Sequence, residues 1–170
     1  MLRKVISGAQ SGADIAGLET AKRFGYETGG TMPFGYKTLD GCKPEYKLLY
    51  GVSAHPSSSY VPRTRKNVLE SDGTIRLAYN FSSKGEICTL RAIEDHKKPH
   101  FDVDLFDPPP ISSVANWISC HRIAVLNVAG NAEQTHSGTY LAATAYLEKL
   151  FEALKESIDE MVGKNPDSAG

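Results

Sequence analysis

KVISGAQSGADIAGLETAKRFG, residues 4–25, decides the fold class. Val5 and Ile6 belong to a short β-rich run that ends at glycine. From Ser11 to Phe24, the residues Ala13, Ile15, Ala16, Leu18, Ala21 and Phe24 recur at helical spacing, and Gly25 stands where a helix ends in a left-handed residue. A strand that runs through a glycine loop into a helix is the first half of a strand–helix–strand unit, and such units build parallel sheets. The loop itself, Ser7 to Asp14, has two readings. The first N–H groups of a helix lack partners and the helix dipole is positive there, so Gly8, Gln10, Ser11 and Gly12 form a possible anion cradle. Ser11-Gly12-Ala13-Asp14 also matches a capping box, in which Ser11 caps the helix and Asp14 reaches back. The spacing is neither GxGxxG nor GxxxxGK[ST].

The rest of the chain repeats the alternation. Strands are expected near Tyr26–Thr28, Lys47–Val52, Gly73–Tyr79, His100–Leu105 and Arg122–Val128. Helices are expected over Arg63–Ser71, Ile87–Lys98, a segment containing Val114, Trp117 and Ile118 with Ser112 or Ser113 as cap, and from about Ser137 to Val162. In the last helix Leu147, Leu150, Phe151, Leu154, Ile158 and Met161 share one stripe, the mark of core or of a subunit contact. This order predicts one doubly wound α/β domain over residues 1–162, helices on both faces of a parallel sheet, and a flexible tail over 163–170. A chain of 170 residues suits a single domain.

Bulk properties exclude several classes. The formal net charge of −1 and the lack of basic runs argue against a nucleic-acid binder or a protein of anionic membranes. No run approaches the ~18 apolar residues of a membrane span, and the start shows no signal-peptide pattern. Three cysteines, Cys42, Cys88 and Cys120, are odd in number and form no CxxC, so a reducing, cytoplasmic setting is expected. The five histidines show no HExxH or Cys/His cluster, so no metal site is expected, and there is no GxSxG nucleophile elbow.

In a doubly wound sheet, ligands sit at the carboxyl ends of the strands. The loops that follow strands therefore carry the candidates. Gly29 and Gly30 permit close backbone approach after the second strand. Asn80 to Glu86 opens a helix, with Lys84, Gly85 and Thr89 suited to an anion and Glu86 opposed to one. Asn127, Gly130 and Asn131 end the clearest strand, with Thr135 or Ser137 as caps of the last helix. Arg63, Arg65 and Lys66 fit either a phosphate contact or a solvated helix face. Ser71 and Asp72 precede a strand and so lie away from the crevice. Asp102 and Asp104 alternate along one strand, as a carboxylate pair or as solvated groups.

Taken in order, SGAQSGADIAGLETA (7–21), TGGTMPFG (28–35), RTRKNVLESDGTI (63–75), KKPHFDVDL (97–105) and LNVAGNAEQTHSGTYLAATAYL (126–147) resemble the segments of the molybdenum-cofactor carrier family. That family shares a Rossmann-like superfamily with the lonely guy phosphoribohydrolases and the DprA-like proteins. The resemblance implies a strand order of 3-2-1-4-5-6, assembly into dimers or tetramers, and a ligand site at Gly8, Gln10, Ser11, Gly12, Asp14, Gly29, Gly30, Thr89, Asn127 and Gly130, to which the reading of the strand-end loops adds Lys84, Gly85 and Asn131. It implies a binding or carrier protein for a phosphorylated pterin- or nucleotide-like molecule, with molybdenum cofactor or a nucleotide as bound ligand. A nucleoside-monophosphate phosphoribohydrolase and a ligand-free oligomeric scaffold are the alternatives. The PGGxGTxxE signature of the phosphoribohydrolases is absent. The chain departs from its family at Lys84-Gly85-Glu86, where a Gly-Gly-Thr turn is usual.

Overall fold

A computed structural model of the chain describes residues 1–163, with side chains described as far as Ser157. The expected flexible tail and the stripe positions Ile158 and Met161 fall on side chains or segments outside the described residues. Nine strands and six helices are assigned among those described. The strands are β1 Lys4–Ile6, β2 Glu27–Gly29, β3 Thr31–Met32, β4 Lys37–Thr38, β5 Gly41–Cys42, β6 Ser53–Ala54, β7 Gly73–Ala78, β8 His100–Asp104 and β9 Val125–Gly130. The helices are α1 Ala13–Arg23, α2 Tyr46–Tyr50, α3 Tyr60–Glu70, α4 Lys84–His96, α5 Ile111–Cys120 and α6 Thr139–Gly163. No helix among the described residues is long and apolar enough to cross a membrane.

The main sheet is parallel, with five strands in the order β2-β1-β9-β7-β8. The α/β class is as expected; the strand order differs, because the last strand lies between the first and β7. Burial explains the placement. β7 is buried throughout and β9 along its middle, so both lie in the interior of the sheet. β2 and β8 keep polar, partly exposed residues and form the edges, with Asp102 and Asp104 charging the β8 edge. The order also has a simple connectivity. If β9 and α6 are moved ahead of β1 in the chain, the sheet reads 3-2-1-4-5. The fold is thus a doubly wound sheet whose first strand–helix unit has been transferred to the end of the chain.

The two faces of the sheet differ in chemistry. Ile75, Leu77, Leu126 and Val128 join α1, α5 and α6 in the main apolar core. Leu147, Leu150 and Phe151 of the α6 stripe are wholly buried there, and Leu154 packs against it. A Cβ on Gly17 would stand 2.7 Å from the Val128 side chain, so glycine lets α1 lie close on β9. On the other face, under α3 and α4, stand Thr74, Arg76 and Asn127, buried but polar. Burying that much polarity requires internal partners or a ligand.

Several local expectations are corrected. Lys47–Val52 was expected as a strand, but Tyr46–Tyr50 is helical and ends at Gly51 in the left-handed conformation. A short apolar run carries no periodicity that separates the two states. The cap of α5 is Pro110, without a side-chain hydrogen bond, and neither Ser112 nor Ser113 serves. Helix α1 starts at Ala13, after the cap position Gly12 at φ +86°, with no side-chain cap, so Ser11 is not the N-cap. A side chain at Gly12 would meet the Asn131 carbonyl at 2.3 Å; that crowding selects glycine and moves the helix start past Ser11.

Candidate functional site

The carboxyl ends of β1, β7 and β9 open into a cavity of about 370 Å³. It lies where the strand order reverses direction of winding, the position that open α/β sheets use for ligands. Its walls come from the β1 loop, the first half of α3, the start of α4 and the β9 loop.

The β1 loop is organised around one ion pair. Arg63 of α3 places Nη1 3.2 Å from Asp14 Oδ2, and both side chains are almost entirely buried. The guanidinium lies directly over Gly8: a Cβ there would fall 1.4 Å from Arg63 Nη1 and 2.9 Å from Asp14 Oδ2. Gly8 is therefore the gap through which Arg63 reaches Asp14. Asp14 does reach back, as the capping motif suggests, but it accepts from the Gln10 N–H at 3.4 Å. Ser7 Oγ accepts from the Ala9 N–H at 2.8 Å and donates to the Asp14 carbonyl at 3.0 Å, which holds Ala9 at φ +50°. Burial pushes the Asp14 carboxyl above its ordinary range, and the Arg63 charge opposes that push.

The start of α4 supplies the second wall. Ser83 is the N-cap and its Oγ accepts from the Glu86 N–H at 3.4 Å. Lys84 and Gly85 then occupy the first two helical positions, whose N–H groups have no acceptor within the helix. A Cβ on Gly85 would meet nothing within 4 Å, so the approach to these N–H groups is open. Thr89 Oγ1 donates to the Gly85 carbonyl at 3.1 Å and rigidifies the turn. Glu86 turns inward and is 1% exposed. Its Oε2 lies 3.6 Å from Arg76 Nη1, beyond hydrogen-bond reach. Arg76 is engaged elsewhere: Nε donates to Asp102 Oδ1 at 2.8 Å and Nη2 to Asp102 Oδ2 at 2.5 Å. Desolvation therefore dominates and pushes the Glu86 carboxyl up to about 8, with Arg76 opposing and Asp14 and Asp102 adding. Of the two strand carboxylates, Asp102 is thus the partner of Arg76, while Asp104 accepts from the Phe106 N–H at 2.9 Å.

The β9 loop supplies the third wall. Asn131 Oδ1 accepts from the N–H groups of Tyr79 and Asn80, and its Nδ2 donates to the Asn80 carbonyl. This side chain ties the β9 loop to the β7 loop. Gly130 permits the same contact in the backbone, since a Cβ there would fall 1.9 Å from the Leu77 carbonyl. Asn127 Nδ2 donates to Thr74 Oγ1 at 3.2 Å. Helix α6 is capped by Glu133, whose Oε1 accepts from the Gly138 N–H at 2.5 Å and Oε2 from the Tyr140 N–H at 2.8 Å. Neither Thr135 nor Ser137 takes that role. A carboxylate already occupies this helix start, so an anion has no place there. At the opposite edge Asp72 Oδ2 accepts from the N–H groups of Ala124 and Val125, as its position before β7 requires.

Among the expected site residues, Gly8, Gln10, Asp14, Lys84, Gly85, Thr89, Asn127, Gly130 and Asn131 line the cavity. Ser11 and Gly12 lie on a separate depression beside Glu133 and Tyr140, where Ser11 Oγ donates to Gln134 Oε1. Gly29 and Gly30 lie off the cavity; Gly30 lets β2 pass against Ser7, whose carbonyl would be 2.1 Å from a Cβ. Gln10 Oε1 accepts from the N–H groups of Ser11 and Leu39, which holds the β4–β5 hairpin at the rim. Tyr60 was not singled out by the sequence, Arg63 was left between a phosphate contact and a solvated helix face, and Glu86 was read as opposed to an anion; each carries a buried polar atom without a partner: Tyr60 Oη, Arg63 Nε and Glu86 Oε2. All three residues face this one cavity. Among the described residues no group of His, Cys, Asp or Glu is arranged to hold a metal ion.

Residues 5–151 match the family model described as "Circularly permutated YpsA SLOG family". A crystal structure from Syntrophus aciditrophicus, described as a "Putative molybdenum carrier protein", is similar at 35% identity, with a TM-score of 0.79 over 88% of this chain and 94% of that one. No curated protein matches. The sheet, with its first strand–helix unit at the end of the chain, agrees with the permutation in the family's description. By its match over most of its length and by its topology, the chain belongs to the circularly permutated YpsA family of the SLOG superfamily.

Proposed function

We propose that this protein binds or carries a phosphorylated small molecule of the pterin or nucleotide kind, with molybdenum cofactor as one such ligand. The observation that carries the reading is that Tyr60, Arg63 and Glu86, each with a buried polar atom lacking a partner, all line one cavity at the switch point of the sheet. Buried polar atoms are normally hydrogen-bonded, and three residues with orphaned atoms around one cavity fit a site that a ligand completes. Arg63, Lys84 and the free N–H groups at the start of α4 supply the positive side of the site. The cavity volume suits a mononucleotide-sized molecule. The structural neighbour's description, which names a molybdenum carrier, supports the pterin end of this range. The free cysteines fit a reducing, cytoplasmic setting. Thermal-shift measurements and calorimetry against nucleoside monophosphates and molybdopterin test the reading: stabilisation by a phosphate-bearing ligand, absent for the parent nucleoside, is expected, and no response to any of them contradicts it.

A second reading rests on the two carboxyls of the cavity. Asp14 is paired with Arg63, whereas Glu86 is unpartnered and pushed up to about 8, the divided arrangement that acid–base chemistry uses. Release of free base from a nucleoside monophosphate would favour this phosphoribohydrolase reading over simple binding.

A further inference from the structure

The charges around Glu86 do not balance if it is ionised. From α1 it feels the charge of Asp14, which pairs with Arg63 of α3. From β7 it is faced by Arg76, and from β8 by Asp102, which takes two hydrogen bonds from Arg76. Lys84 stands on its own helix. Each guanidinium thus already has a carboxylate partner, Asp102 being 40% exposed at the sheet edge, and an ionised Glu86, itself buried, would have only the 3.6 Å approach of Arg76 Nη1 to balance it. Arg76 gives a further bond, from Nη1, to the backbone carbonyl of Glu86 at 3.3 Å, and the same Nη1 stays 3.6 Å from Glu86 Oε2. Uncompensated charges at this depth neutralise themselves. Glu86 is also the third residue of α4, beside the free N–H groups of Lys84 and Gly85. An anion received there would be repelled by a carboxylate and held by a carboxyl O–H.

Resting on the phosphate-binding reading above, we propose that Glu86 is a specificity group that meets its ligand as a neutral carboxyl, donating its O–H to an anionic phosphate oxygen, so that in alkaline solution the anion enters together with one proton. The proton comes from solvent, stays on the Glu86 carboxyl while the ligand is bound, and returns when the ligand leaves; no bond to the ligand forms or breaks. Below the range in which free Glu86 ionises, the site is already charged with its proton and affinity is flat. Above it, each binding event must draw the proton in, and affinity falls. The desolvation that pushes Glu86 up to about 8 places that change in an accessible window.

Calorimetry with GMP and with inorganic phosphate between pH 7 and 9 tests the inference, on the natural protein and on E86Q. The GMP phosphate is a dianion across this window, its second pKa being about 6; inorganic phosphate completes its second ionisation inside it, so GMP carries the pH comparison. The natural protein is expected to lose about tenfold in affinity for GMP from pH 7 to 9, and to take up close to one proton at pH 9 when measured in two buffers of different ionisation enthalpy. E86Q, whose amide donates at every pH, is expected to change less than about threefold over the same range. Equal pH dependence in the two proteins, or no proton uptake by the natural protein, overturns the proposal while leaving phosphate binding in place. Binding to neither protein at any pH overturns the phosphate-binding reading itself. Should E86Q not fold, the proton count on the natural protein decides alone.

Discussion

Glu86→Gln is expected to stabilise the free protein, and to do so increasingly as pH rises. The folded state raises this carboxyl from its ordinary 4.5 to about 8, because it is buried without a hydrogen-bond partner. At ~1.4 kcal/mol per pH unit, holding it ionised in the fold costs about 5 kcal/mol. The sign follows from proton binding. Between pH 4.5 and 8 the folded chain keeps a proton that the unfolded chain releases, so stability declines through that range and the full cost is present above it. Glutamine has the same shape and no charge, so its fold carries no such decline. Urea unfolding at pH 5 and at pH 9 should therefore show E86Q gaining about 3–5 kcal/mol on the natural protein between the two, with the change complete near pH 8. Asp14 and the other titrating groups are common to both chains and largely cancel in the difference. If the gap is constant with pH, Glu86 is not raised. If the natural protein gains on E86Q as pH rises, Glu86 is ionised and stabilised by Arg76, and the charge count fails.

Three further substitutions separate the parts of the site. Gly8→Ala puts a methyl group where Arg63 Nη1 now lies and should cost about 3 kcal/mol by breaking the buried Arg63–Asp14 pair, with ligand binding weakened at least tenfold; denaturant unfolding and calorimetry read both. Glu133→Ala removes the carboxylate cap of α6 and should cost about 1 kcal/mol in unfolding free energy, while affinity for a phosphorylated ligand stays within about twofold, since α6 is not the anion site. Asp72→Ala leaves the N–H groups of Ala124 and Val125 without their acceptor and should destabilise by about 1–3 kcal/mol, again with affinity unchanged, because it acts at the far end of the strands.

The sequence shows the α/β class and most of the strand-end loops because those signals are local. Val5-Ile6 followed by glycine and a helical apolar pattern specifies β1, the loop and α1 within 20 or so residues, and Gly130 marks the end of β9 in the same way. The strand order is a different kind of fact. The place of β9 between β1 and β7 depends on which strands can be covered on both faces, and the polar residues of Glu27–Gly29 and His100–Asp104 are the signal that would have sent β2 and β8 to the edges. The site divides similarly. The glycines and asparagines at strand ends are visible, but the ion pair that organises them joins Asp14 to Arg63 across 49 positions of chain. Arg63 within RTRK reads as readily as a solvated helix face, and only the room above Gly8 shows where it goes. Glu86 is legible as a first-turn acid that favours the helix. Its burial, and the 3.6 Å at which Arg76 stops short of it, depend on Arg76 being taken up by Asp102 from the neighbouring strand.

A crystal structure with a bound nucleoside monophosphate tests the central claim most directly. The account predicts the phosphate at the start of α4, on the N–H groups of Lys84 and Gly85, with the rest of the ligand in the cavity against Tyr60, Arg63 and Glu86. A phosphate seated at the start of α6 in place of the Glu133 carboxylate, or a cavity left empty by ligands at millimolar concentration, would contradict it.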